Sequence, residues 1–235
     1  VPMVLLSLLV IVLYQLARRA QADINWRTLR IAELTKRVER LVSRGAVQAM
    51  HGASTGDQPE PRLVECTLFF SDIRGFTDFS ERRAPGELID ALNGVFALQV
   101  EVLEQAGGDV DKFIGDAVFA RFEGPDRAAA AIGAALEIQR RLSDGKLELT
   151  LGIGIASGSV VAGVVGAADR YDYTVLGDAV NVASRLCSAA LAGETVVDQG
   201  TADAGAVVDG AREALAVKGR NAKVSVVRFP SPTAA

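Results

Sequence analysis

The stretch Asp109–Phe122, DVDKFIGDAVFARF, reads as a β-hairpin. Two apolar-rich arms flank Gly115-Asp116, a pair suited to a tight turn because glycine accepts positive φ and aspartate satisfies nearby backbone groups. Upstream, the segment from about Pro85 to Gln105 places Leu88, Leu92, Val95 and Val102 on one face of an amphipathic helix, and Val64–Ser71, VECTLFFS, is a strand. Downstream, an alanine-rich helix spans about Asp126 to Leu142. Leu147 to Ala156 is a strand that continues as Val160 to Val165 after a turn at Gly158. Asp178 to Ala190 is a helix, and short strands near Thr195–Val197, Ala214–Val217 and Val224–Phe229 close the pattern. Strand, helix, hairpin, helix, strand predicts a ferredoxin-like α+β core, an antiparallel-rich sheet with flanking helices.

The N-terminal part follows other rules. Val1–Leu16, VPMVLLSLLVIVLYQL, is broken only by Ser7 and Gln15, and no initiator methionine precedes it. It reads as the C-terminal part of a transmembrane helix, residues 1–17, with a buried core helix as the alternative. Arg18 and Arg19 follow at once, which is the wrong order for a signal peptide. Residues 18–50 read as a juxtamembrane signalling helix, in which the basic side chains Arg18, Arg19, Arg27, Arg30, Lys36, Arg37, Arg40 and Arg44 outnumber Asp23, Glu33 and Glu39. The positive-inside rule then anchors the chain in the cell membrane with everything downstream in the cytoplasm. Ile24, Ile31 and Val38 form one seven-residue series and Leu34 and Leu41 a second, offset by three: a short coiled-coil-like seam, with Arg27 where its first d residue belongs. An amphipathic helix lying on lipid or on its own domain is the alternative. Residues 51–61, rich in Gly and Pro, form a linker; 62–230 is the main domain and 231–235 a tail.

Composition narrows the functions. In a chain of 235 residues, 49% are apolar and 23% charged, enough for one packed domain and an appendage. A net charge of -4 argues against a nucleic-acid partner, so any anionic ligand must be held locally. His51 is the only histidine, and Cys66 and Cys187 lie far apart. Zinc sites and His-dependent triads are thereby excluded, and a reducing compartment fits.

Two acids stand at adjacent strand ends: Asp72, followed by Ile73-Arg74-Gly75-Phe76-Thr77, and Asp116 at the hairpin turn. Paired carboxylates are hard oxygen ligands suited to Mg²⁺ or Mn²⁺ beside a triphosphate, and Gly75 lets the amides near Phe76 and Thr77 face phosphate oxygens. Taken singly, each acid is better explained as a turn or helix cap. The run Gly152, Gly154, Gly158, Gly163 and Gly166 lacks a P-loop ending or a Rossmann context, and is better read as allowing close packing.

FFSDIRGFT, DVDKFIGDAVFARF, GIGIASGSVVAGVVG and YDYTVLGDAVNVASRL, in this order from about Leu63 to Phe229, resemble the catalytic domain of class III nucleotidyl cyclases. The resemblance implies an adenylyl cyclase making 3′,5′-cyclic AMP from ATP in a head-to-tail homodimer, with two metal ions per site. It implies that Asp72, Asp116 and the Ile73 carbonyl ligate metal, and that Lys112 and Thr174 read the adenine. Lysine donates and so suits adenine N1, whereas a lysine merely paired with Asp111 or Glu123 is the structural alternative. Threonine stands where many relatives carry aspartate, a pattern similar to class IIIb, some members of which respond to bicarbonate. Asn181 and Arg185, four apart on one helical face, match the ribose and transition-state residues. Lys218, with Arg220 close by, matches a phosphate-binding lysine. Asp178 suits the helix N-cap. No basic side chain stands at Leu149-Thr150-Leu151, where many relatives have one. A guanylyl cyclase and a regulatory pseudocyclase are the alternatives.

Overall fold

The consecutive apolar residues Leu68-Phe69-Phe70 bury the central strand, β1 (Arg62–Ile73), on both faces: Leu68 and Phe70 on one, Phe69 and Ile73 on the other. A computed structural model describes residues 2–39, 42–52, 59–145, 148–167, 170–207, 209–216 and 223–231. The chain forms two compact units, Val1–Val42 and Ser43–Ala235.

The first unit is one helix, α1 (Pro2–Glu39), about 57 Å long at 1.5 Å per residue. The apolar run and the heptad stretch are continuous in it. Arg27 pairs with Asp23 one turn away at 2.9 Å, while Ile24, Ile31, Leu34 and Val38 are exposed. Leu41 lies outside the described residues. Among the described residues no helix is long and apolar enough to cross a membrane.

The second unit opens with α2 (Arg44–Gly52), so the helical region before the domain is not one piece to residue 50. The physical reason is a remote cap. The Asp109 carboxylate accepts the backbone N–H groups of Arg44 and Gly45, each at 2.9 Å, and Ser43 Oγ accepts from Ala46, so a new helix starts on the domain surface.

After β1 come α3 (Phe76–Glu81), α4 (Pro85–Gln105), β2 (Asp109–Ile114), β3 (Ala117–Phe122), α5 (Arg127–Asp144), β4 (Leu151–Ala167), β5 (Arg170–Leu176), α6 (Asp178–Ala189), β6 (Thr195–Asp198), α7 (Gln199–Ala204), β7 (Ala211–Leu215) and β8 (Val224–Phe229). Pro85 at the first helical position starts α4, where its missing N–H costs nothing. The sheet order is β2-β3-β1-β4-β6-β8-β7, with β5 paired to β4. β4-β1-β3-β2 are antiparallel neighbours, the order expected of the ferredoxin-like core; the parallel β4–β6 pair makes the whole sheet mixed.

Two cores flank the sheet. Side chains of α4, α5 and α7, including Val95, Leu103, Ile132 and Ala202, fill one face. Residues of α2, β5 and α6, including Ala46, Tyr173, Val175, Val182 and Leu186, fill the other.

One expectation fails at Gly158. There is no turn: β4 runs unbroken for 17 residues, with Gly158 opposite Cys66 of β1. A Cβ at Gly158 would come within 2.9 Å of the Ala179 Cβ, so the glycine makes room for α6.

Candidate active site

Asp72 lies near the end of β1 and Asp116 in the β2–β3 turn, where Gly115 has φ 65°. The register that sets Ser71 opposite Val118 carries the turn to the end of β1 and brings the two carboxylates together. Burial, then the Asp116 charge, push the Asp72 carboxyl above its ordinary pKa; Arg74 opposes them, and a hydrogen bond with Asp116 adds to the rise. Two acids that repel at neutral pH form a donor set a hard divalent cation would neutralise. Among the described residues no group of three or more His, Cys, Asp or Glu is placed to hold an ion, so the pair would need a backbone oxygen such as that of Ile73.

Gly75, at φ 71°, turns the chain from β1 into α3, making Phe76 and Thr77 its first residues. The Phe76 ring packs on the core and Thr77 is exposed.

Arg74, which the sequence reading passed over, braces Asp72. Its Nη2 lies 3.2 Å from Asp72 Oδ2 and donates to the Cys187 carbonyl of α6 at 3.1 Å. The guanidinium lies so close over Gly152 that a Cβ there would sit 2.4 Å from Nε.

Lys112 and Thr174 meet in a second cluster. Lys112 Nζ contacts Asp111 Oδ2 at 3.2 Å and also pairs with Asp172, and Thr174 Oγ1 donates to Asp111 Oδ2 at 3.2 Å. The partner anticipated for Lys112, Asp111, is therefore real, and its side chain is completely buried. Burial lowers the Lys112 pKa, but the carboxylates of Asp172 and Asp111 outweigh it and the net shift is upward. Asp111 itself moves up, because burial exceeds the pull of Lys112, Arg121 and Thr174.

Asn181 and Arg185 lie on the outer part of α6, whose Val182, Ala183, Leu186 and Cys187 are buried. Neither has a hydrogen bond or ion pair among the described residues, so both are available to a ligand. The α6 N-cap is Gly177, with Asp178 in the first turn, which corrects the capping role expected for Asp178. An acid there still complements the helix dipole. Lys218 and Arg220 lie outside the described residues.

No hydrogen bond or ion pair among the described residues joins Asp72 or Asp116 to Lys112, Thr174, Asn181 or Arg185. Nor does any such bond among the described residues join Lys112 or Thr174 to Asn181 or Arg185.

Residues 59–227 match the family described as the Adenylate and Guanylate cyclase catalytic domain, and the chain belongs to that family. It is 39% identical over 158 residues to an adenylate cyclase of Anabaena cylindrica, a match covering 63% of this chain and 31% of that protein. The chain thus spans about a third of the length of this curated relative. Among solved structures it is similar to the adenylyl cyclase CyaB from P. aeruginosa, with TM-score 0.66 and 33% identity, covering 72% of this chain and 95% of that one. It is also similar to the guanylate cyclase domain of RhGC from Catenaria anguillulae in complex with GTP, with TM-score 0.65 and 28% identity, covering 72% and 98%. One architecture therefore serves cyclases named for either purine.

Proposed function

We propose that the chain is an adenylyl cyclase, converting ATP to 3′,5′-cyclic AMP and pyrophosphate in a head-to-tail homodimer. The observation that carries this reading is the pairing of the Asp72 and Asp116 carboxylates where β1 meets the β2–β3 turn. Those two side chains and the Ile73 carbonyl would hold two ions, Mg²⁺ or Mn²⁺, in each site. When bound, the ions supply Lewis-acid activation of the ribose 3′-hydroxyl and neutralise charge on the departing pyrophosphate.

The protein side chains do the rest. The 3′-hydroxyl gives its proton to water, its oxygen bonds to the α-phosphorus, and the bond from that phosphorus to the bridging oxygen breaks, releasing pyrophosphate. Arg185 offers a planar fork of donors to the α-phosphate as charge builds there, and Asn181 holds the ribose. Lys112 donates to adenine N1 and Thr174 accepts from the 6-amino group. The first amides of α3, at Phe76 and Thr77, and Lys218 meet the remaining phosphate oxygens.

A dimer is favoured because no hydrogen bond or ion pair among the described residues joins the acid pair to Lys112, Thr174, Asn181 or Arg185. Exposed apolar side chains flank these residues, Phe113 and Ile114 on the hairpin and Val161, Val165, Tyr171 and Leu176 on the β4–β5 arm, and suit burial against a second copy. The exposed heptad residues of α1 would pair two chains in parallel, and the apolar start of α1 would anchor them at the cell membrane with the catalytic domains in the cytoplasm.

Cyclic-nucleotide output with ATP or GTP, and with either metal, tests the reading. The expected result is cyclic AMP from ATP, abolished by Asp72→Ala and by Asp116→Ala. Product from GTP alone would make the protein a guanylyl cyclase, and no product from either would make it a pseudocyclase.

A further inference from the structure

The β2–β3 ladder skips a residue. Asp109 faces Arg121 and Val110 faces Ala120, but Lys112 already faces Phe119, so Asp111 is the extra residue of a β-bulge. Bulges re-aim side chains. Here the bulge lies beside both proposed base readers, and the Asp111 side chain has no exposed surface. Its Oδ2 accepts the hydrogen bond of the Thr174 hydroxyl and lies 3.2 Å from Lys112 Nζ; Oδ1 has no partner among the described residues. Thr174 comes from β5, whose neighbour Tyr173 lies under the Arg121 guanidinium, 5.6 Å from the ring centre.

A threonine hydroxyl carries one proton and two lone pairs. Free to rotate, it serves a purine amino group as acceptor and a purine carbonyl as donor equally well. Once the proton is committed to a buried carboxylate, only lone pairs face the ligand. We propose that Asp111 is a positioning residue for purine choice: by holding the Thr174 proton it turns Thr174 into an obligate acceptor, which fits the 6-amino group of adenine and mismatches the 6-carbonyl of guanine. The inference rests on the adenylyl cyclase reading, and on Thr174 facing the base.

Asp172 bears on how this can be tested. Because it also pairs with Lys112, removing Asp111 leaves the lysine with a carboxylate partner. The effect of an Asp111 variant on the 6-position should therefore pass through Thr174. A site that hydrogen-bonds a substrate group discriminates against an analogue lacking it, because its own polar atom is left unpaired.

The test compares kcat/KM of the full chain for ATP and for purine riboside 5′-triphosphate, the same ring without the 6-amino group. Wild type should prefer ATP by about tenfold or more. Asp111→Leu, with Asp111→Ala as the second variant should leucine unfold the bulge, should lose that preference to the level of Thr174→Val. Asp111→Asn, which keeps an oxygen acceptor, and Thr174→Ser, which keeps the hydroxyl, should retain it. In the Thr174→Val background Asp111→Ala should change the ratio no further, a non-additivity that a merely structural role would not produce. If wild type makes cyclic AMP and the Asp111→Leu and Asp111→Ala proteins keep the full preference, the inference is overturned while the cyclase reading stands. If wild type makes none, both fall together.

Discussion

Asp72 holds its place against its own electrostatics. Burial and the Asp116 charge both raise its pKa, so the folded protein binds this proton more tightly than the unfolded chain does. The sign follows. Above the raised value the ionised group is a cost to the fold, and the cost is relieved as pH falls through that value towards the ordinary carboxylate range. Metal-free Asp72→Asn should therefore melt no lower than wild type at pH 7, with any advantage shrinking as the pH is lowered, while cyclase activity drops by about a hundredfold or more. Thermal unfolding in chelator across a pH series checks the first part; a large fall in melting temperature at pH 7 would contradict it.

The two cysteines make the opposite case, of titratable groups without a chemical task. Burial, with the Glu123 charge next, pushes the Cys66 thiol up to about 11, and burial pushes that of Cys187 up to about 12 against Arg74. The thiolate is the reactive form, so at pH 8 neither should react with a thiol reagent until the protein unfolds. Fast labelling of the native protein would contradict this.

Among the elements, the hairpin and the helix Pro85–Gln105 are legible in the sequence because local rules suffice: a Gly-Asp turn, helical apolar spacing and a proline at the first turn. The break before α2 is not legible. Its cap is Asp109, 65 positions away from Arg44, and no local window contains both. β5 is missed for a related reason, since it is a strand only by pairing with the far end of β4. Gly158 misleads because a glycine in an apolar run signals a turn, whereas its actual use is a close approach by α6.

That approach is tightest at Gly154, where a Cβ would lie 2.0 Å from the Cys187 backbone nitrogen and 2.3 Å from the Ala183 oxygen. Backbone atoms cannot swing aside, so Gly154→Ala must lift α6, which carries Asn181 and Arg185. It should cost about 1–3 kcal/mol or more, and reduce turnover as well as melting temperature. Denaturant unfolding beside a cyclase assay tests this; wild-type values for both would show that α6 is not held by that contact.

For the molecule as a whole, the candidate site is half legible in one chain. Asp72 lies beside Asp116, and Lys112 and Thr174 both bond Asp111. Arg74 escapes the sequence reading because its partner, the Cys187 carbonyl, is over 60 positions away; Asp111 is legible as a partner of Lys112, but its bond to the Thr174 hydroxyl, 63 positions off, is not. No bond among the described residues joins the two pairs, and the proposed head-to-tail dimer would complete the site. Each of its two sites would take metal ligands from one chain and Lys112, Thr174, Asn181 and Arg185 from the other.

Mixing tests this directly. Asp72→Asn and Arg185→Ala proteins should each make almost no cyclic AMP from ATP. Combined in equal amounts under conditions that let dimers exchange, they should recover about a quarter of wild-type activity, because half the dimers are mixed and each mixed dimer holds one intact site. A mixture as inactive as its components, with exchange confirmed, would contradict the composite site.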